Sequence, residues 1–592
     1  MTPRLRDHWL RMDLRSVGLF RVAIGCVLLC HLSNRWSLRD DLFSPSGVLP
    51  DSLLSASLEI PNFPTLLTAL DGHSWGSGLL FVIASVATAA LTIGLFTRGA
   101  TLLSLLAFST LAHRNPYVLI AGDYVLGSML LWLTVLPAGK RFSLDAVWCR
   151  RGCGDRHTNP QREQGLSPLV ADGIRSVESP LLAHTAGWCW KSLFPSTRGA
   201  LPTRINDEAA LIADSRSRPS LAVLGVLVQL GLIYFATAWQ KSGPTWWRDG
   251  TALDLMLGLH RFARPGAAIV SSLPESWLVT LTHGVLAFEF LVLPLILLPF
   301  ARPWLRRGAV LGLLALHVGI ACVIDTGGFS ITMLACTPLL ISSADWAWGV
   351  KLVARCTHSA TPLVASDETS ERGGVSPLVL ELKPSFEEPG GLSHPAQDFP
   401  TLCCDRDKKT AWRMVSVVAI ELVSAWLLVG MVASNYGLNF ALGLREAPPT
   451  WLDLPQRFAA AHQRWDMFAP DAPKFDPQLL VRVRLRDGRL LGLQSDDDLP
   501  SVGIDLAPRF RPFAWRIYIG HAILQFNPAR QTEADALRTE LCRFVLRELV
   551  ATGHSPRDNH AIELWSRSVS TSRRERNTPP PEPAFVSSLL AP

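Results

Sequence analysis

Apolar residues in this chain gather into long runs separated by short polar gaps. Nine runs stand out, at 16–33, 77–96, 98–113, 117–138, 220–240, 277–300, 306–323, 327–344 and 411–434. A helix needs about 20 apolar residues to cross roughly 30 Å of hydrocarbon. The pattern therefore predicts about nine transmembrane helices and excludes a soluble enzyme. The first run follows Arg4, Arg6, Arg11 and Arg15 and shows no small-residue cleavage site, so it reads as a retained anchor.

Two polar stretches interrupt the runs. Residues 142–218 are Arg-rich and without periodicity, and residues 357–410, around SDETSERGGVSP and FEEPGGLSHPAQ, have the composition of disordered chain. Beyond residue 435 the pattern changes. VRVRLRDGRLLGL alternates around Asp487-Gly488, a hairpin signature. FAWRIYIGHAILQF fits a strand or a short helix, and 533–551 shows helical spacing through Leu537, Leu541, Val545 and Leu549. AIELWSRSV reads as a last strand, and the Pro-rich stretch near Pro579 as a floppy tail. The fold expected is an all-α polytopic membrane bundle over 1–435, interrupted by loops 142–218 and 357–410, with a small α+β extramembrane domain over 436–592. No internal repeat or heptad is present.

Composition agrees: 48% of the 592 residues are hydrophobic and 18% charged, against about a quarter charged in ordinary globular chains. The net charge of +6 suggests nucleic acid only until the charges are located. Most Lys and Arg lie in the gaps between runs, so nucleic acid is not an expected partner and membrane lipid is. With the N-terminus inside, the inner gaps hold Arg98, then Lys140, Arg141, Arg150 and Arg151, then Arg302, Arg306 and Arg307, then Lys351, Arg355, Lys408 and Lys409. The outer gaps are poorer in base: Arg35 and Arg39 face Asp40, Asp41, Asp51, Glu59 and Asp71. That asymmetry follows the positive-inside rule. It places loops 142–218 and 357–410 in the cytoplasm and exports residues from about 436 onward across a bacterial inner membrane. Cys149, Cys153, Cys189, Cys356, Cys403 and Cys404 then fall on the reducing side, and only Cys542 is exported. Cys149 and Cys153 with His157 are too loosely spaced for a structural zinc site, so no metal is expected.

Ionisable residues within spans are costly and need a partner, a wet cavity or a function. Arg21, Asp123, Glu289 and His317 lie inside runs, with His31, His283 and Glu421 nearer expected helix ends. The plain reading is interhelical pairing, with Arg21 meeting Asp123 or Glu289. Lys241 ends the fifth run in YFATAWQKSGPTWWRDG, beside Trp239, Trp246 and Trp247. It reads either as an interfacial anchor in an aromatic belt or as a lysine held partly out of water and able to act as a base. The link HRNPY at 113–117, the turn IDTGGF at 324–329 and Lys241 share the outer side of this topology. Together they form a candidate cavity.

Five ordered blocks carry a resemblance: DLRSVGLFRVAIG (13–25), GLFTR (94–98), HRNPYVLIAGD (113–123), WQKSGPTWWRDGTA (239–252) and QRWDMFAPDAP (463–473). They resemble the bacterial HTTM (horizontally transferred transmembrane) family, which is related to the membrane part of vitamin K-dependent gamma-carboxylase. The resemblance implies that Lys241, separated from Tyr234-Phe235 by five residues, falls on the carboxylase's base. It also implies that His317 falls on a functional histidine, and that Asn115 and His113 lie in a positioning segment. Pro116 stands where a histidine is expected, and Gln240 where a second lysine is. Most of the animal enzyme's lumenal region has no counterpart here.

The resemblance implies a coupled oxidation, a lyase-type carboxylation. A reduced naphthoquinone gives its proton to lysine and reacts with oxygen to a strong alkoxide base, which deprotonates a glutamyl γ-carbon to accept carbon dioxide. Lys241 and His317 are then catalytic. Asn115, His113, Tyr234 and Trp246 bind or position substrate, an exported peptide or protein. The alternative is a non-catalytic membrane factor for maturation or export of a secreted peptide. A transporter lacks any inverted-repeat signal.

Overall fold

The computed structural model describes residues 3–56, 75–154, 215–300, 302–358, 404–444, 447–494, 497–501, 505–523, 531–553, 559–573, 575 and 581–590. Most of loops 142–218 and 357–410, including Cys153, His157 and Cys189, lies outside the described residues. The chain divides into two compact units, one of residues 1–344 with 421–592 and one of 345–420.

The principal helices are α1 (Leu14–Trp36), α2 (Gly76–Ile93), α3 (Thr97–Arg114), α4 (Ala121–Val135), α5 (Leu221–Gln240), α6 (Glu275–Leu297), α7 (Arg302–Val323), α8 (Phe329–Cys336) and α9 (Cys404–Ala433). Among the described residues six segments are long and apolar enough to cross a membrane: Leu14–Trp36, Gly76–Ile93, Leu221–Gln240, Glu275–Leu297, Pro303–Val323 and Met414–Ala433. The other three expected spans are different. α3 carries Thr97, Arg98, Ser104, Ser109, Thr110, His113 and Arg114, α4 has only 15 residues, and α8 stops after 8 and passes into a 3-10 turn at Thr337–Leu340.

Local chemistry sets the helix ends. Asp13 and Ser220 accept hydrogen bonds from Arg15 N and Ala222 N and so start α1 and α5. Glu421, expected at a helix end, lies within α9, and its carboxylate accepts from Leu221 N at 2.8 Å. Gly94 closes α2 at φ 73°, where a Cβ would lie 1.9 Å from Arg21 Nη1. Pro116 ends α3 and opens a 3-10 turn, which Asn115 Oδ1 caps by accepting from Tyr117 N.

The later segment forms an antiparallel sheet in the order β2-β1-β3-β4, from β1 (Phe475–Leu485), β2 (Leu490–Gly492), β3 (Asn559–Ser570) and β4 (Ala584–Leu590). Gly488, at φ 89°, turns the expected hairpin. FAWRIYIGHAILQF forms helix α10 (Phe513–Ile523), and α11 (Gln531–Ala551) follows. The expected floppy tail is corrected in part. Residues 584–590 form β4, because β3 is long enough to hold β1 on one edge and a further strand on the other.

This segment packs on the bundle within one unit. Tyr518 Oη donates to Val48 O at 3.3 Å, Arg547 to Gly47 O at 2.9 Å, and Arg509 pairs with Asp41 at 2.8 Å. Tyr117 donates to the Glu533 carboxylate.

Candidate active site

Helix α5 positions two polar side chains seven residues apart, two turns along one face. Tyr234 Oη and His317 Nε2, the latter from α7, share a hydrogen bond of 2.6 Å, and both residues are buried. The His317 ring also stands edge-on to Phe329 of α8 at 5.5 Å. Its Nδ1 is buried and finds no hydrogen-bond partner among the described residues.

Lys241 is the C-cap of α5 and is 4% exposed. Its Nζ donates to both Glu289 oxygens, at 2.8 and 2.7 Å. The ammonium also lies 4.3 Å from the centre of the Trp246 ring, a cation–π contact. Lys241 is therefore no snorkelling anchor with its charge in water. It is clamped between a buried carboxylate and a buried indole.

The loop after Lys241 is fixed by the segment at 463–473. Trp246 Nε1 donates to Phe468 O at 2.9 Å, and Gly243 N to Pro470 O at 2.9 Å. Asp471 accepts from Thr245 N and Oγ1 at 2.9 and 2.7 Å. A Cβ at Gly243 would lie 2.1 Å from that carboxylate, so the close approach requires glycine. Two of the five sequence blocks thus pack against each other, as do Arg21 and Gly94 of two others.

The expected pairing of Arg21 with Asp123 or Glu289 is not the one formed. Arg21 donates to Phe142 O. Asp123 accepts from Arg35 at 2.9 Å and from Ile120 N at 3.0 Å, and lies 3.2 Å from His31 Nε2. Glu289 holds Lys241. The sequence marks Arg35 only as a charge of the gap after the first run, although its place four residues after His31 on α1 puts both on one helix face.

Asn115 and His113 serve the fold. Asn115 Nδ2 donates to Leu42 O at 2.7 Å while its Oδ1 caps the 3-10 turn. His113 Nδ1 lies 2.7 Å from Ser109 O. The three elements grouped in the sequence are each met by a different stretch of the later segment: the Lys241 loop by Phe468–Asp471, the 113–117 link by Glu533, and the 324–329 turn by Phe513 and Arg516.

In that turn Asp325 accepts from Arg264 at 3.1 Å, from Gly327 N at 3.2 Å and from Arg516. Burial acts to raise its carboxyl. The Arg516 hydrogen bond, with Gly327 and Arg264, outweighs burial and holds the carboxyl below the usual range. Asp476, bridged to Arg261 at 3.0 Å, shows the reverse: burial prevails and raises it.

No family model matches the chain, and no curated protein or solved structure is similar to it.

Proposed function

We propose that the chain is a multi-pass membrane protein whose buried Lys241 site oxidises a lipid-soluble quinol and couples that oxidation to carboxylation of an exported peptide or protein. Membrane embedding is supported by what the bundle leaves uncovered. Val86, Leu102, Leu291, Leu311 and Leu422 are each more than half exposed on helix faces, a surface that hydrocarbon accepts and water does not. Exposed aromatics gather where spans end. Trp36, Trp75, Trp239, Trp247 and Trp277 lie at one end, and Phe96, Trp148, Phe300 and Trp304 at the other. Such belts mark the two interfaces. The second end carries Arg98, Lys140, Arg141, Arg302 and Arg307, whereas at the first the bases Arg39, Arg248 and Arg264 are paired with Asp40, Asp249 and Asp325 respectively. This distribution supports a cytoplasmic N-terminus and a segment from 436 on the outer face of an inner membrane.

The observation that carries the enzymatic reading is the polar line Tyr234–His317 and Lys241–Glu289 inside an apolar bundle. A quinol supplies the electrons that reduce oxygen and, through them, the base that removes the γ-proton. Lys241 takes the first proton. Nδ1 of His317, buried and without a hydrogen-bond partner among the described residues, is the atom of this line that a quinol hydroxyl or oxyanion would satisfy. Tyr234 fixes the ring that presents it, and the surrounding helices exclude water.

Purified protein given reduced naphthoquinone, oxygen and labelled bicarbonate is expected to form epoxide and fixed label. Folded protein forming neither product ends this reading. One feature favours the alternative, a non-catalytic factor for a secreted peptide. β4 is the last strand of the sheet order, carries no charge, and exposes Phe585 and Leu590, an edge suited to an added extended strand. Orientation is tested by a reporter fused after Pro592; a cytosolic signal removes both readings.

A further inference from the structure

The Lys241–Glu289 pair raises a difficulty for a lysine base. A base needs a vacant lone pair, and an ammonium that donates to both oxygens of a buried carboxylate has none. At rest the pair holds one proton and no net charge. Glu289 has Lys241 as its only hydrogen-bond partner among the described residues, and the carboxylate is itself buried. Trp246 covers the ammonium from another side at 4.3 Å. The second proton capacity of the site therefore belongs to the carboxylate.

Resting on the quinol reading above, we propose that Glu289 is the terminal proton acceptor and Lys241 the conduit to it. The step balances as quinol-OH plus ammonium–carboxylate giving quinolate plus ammonium and carboxylic acid. Lys241 passes its own proton to Glu289 and takes the quinol proton in its place. It ends the step as an ammonium facing the new anion. No charge is created in the apolar interior that is not matched within the site, which is where such matching matters most. The coupled pair acts as one group. Glu289 would look inert to any search for a residue touching substrate, because the lysine stands between them.

Two readouts on the full chain in lipid test this. The first is infrared difference spectroscopy on adding a short-chain reduced naphthoquinone without oxygen. A protonated-carboxyl band should appear in the wild type, be absent in Glu289→Gln, and be displaced in Glu289→Asp. The second is quinol-dependent oxygen uptake, which should fall about 100-fold or more in Glu289→Gln and be partly restored in Glu289→Asp. Folding of each variant is checked by its melting temperature. Wild-type uptake without the carboxyl band overturns the acceptor role and leaves the quinol reading standing, and so does near-normal uptake by folded Glu289→Gln. A wild type that takes up no oxygen overturns both.

Discussion

Two buried carboxylates in the bundle meet their cations in opposite ways. Asp123 has several partners, with Arg35 and Ile120 N donating to its Oδ2 and His31 Nε2 lying 3.2 Å from its Oδ1. A guanidinium, a backbone amide and an imidazole converge on it, and it starts α4 as well as joining α1 to α4. Arg35 cannot give up its proton, so that site is fixed in one state. Among the described residues Glu289 has one hydrogen-bond partner, and that partner is a lysine, whose proton can move. The same two charges thus make a brace in one place and a movable proton in the other, and the number of donors tells them apart.

The largest effect that can break this comparison is at the brace. Asp123→Ala leaves the Arg35 guanidinium uncompensated and is expected to cost about 3–5 kcal/mol, read as melting temperature in detergent. Replacing Arg35 and Asp123 together by apolar residues should recover much of that loss. A cost under about 1 kcal/mol for the single change would mean Asp123 is not a brace.

Lys241→Arg sharpens the contrast. Arginine keeps the charge on Glu289 but cannot relay a proton, so melting should move little while oxygen uptake drops about 100-fold or more. Unchanged uptake would make the pair purely structural. A smaller effect is expected of Tyr234→Phe. It strips His317 of its Nε2 partner when Nδ1 already has none, at about 1–3 kcal/mol. Comparing its KM with that of wild type shows whether the ring's presentation to substrate changes too.

The smallest effect is electrostatic and depends on acid. Asp325 is held below the ordinary carboxylate range, so it stabilises the fold above about pH 4. That contribution is lost as pH falls through its lowered value. Arg516→Gln removes the chief hydrogen bond and should flatten this acid limb in a melting series from about pH 3 to 7. An identical limb in both proteins would show that Asp325 does not link the turn to the later segment.

Much of the frame was legible because hydrophobic run length is a one-dimensional property. Six helices lie within or across the runs read from sequence, and Asp487-Gly488 turns a hairpin as alternation required. Partner identity was not legible. Arg21, Asp123 and Glu289 were each marked as needing a partner. Which charges meet depends on which helices are neighbours, and periodicity holds no record of that. Arg35 was read as a loop charge because α1 runs on to Trp36, beyond the apolar run. β4 was missed because its predecessor Pro-rich stretch dominated the reading, and an edge strand needs only one neighbour to form.

Arg516 reaches from α10 past the Phe262 and Phe513 rings to Asp325, while Arg261 on the bundle side bridges to Asp476 at the start of β1. The later segment thus ties together the loop before α6 and the turn between α7 and α8.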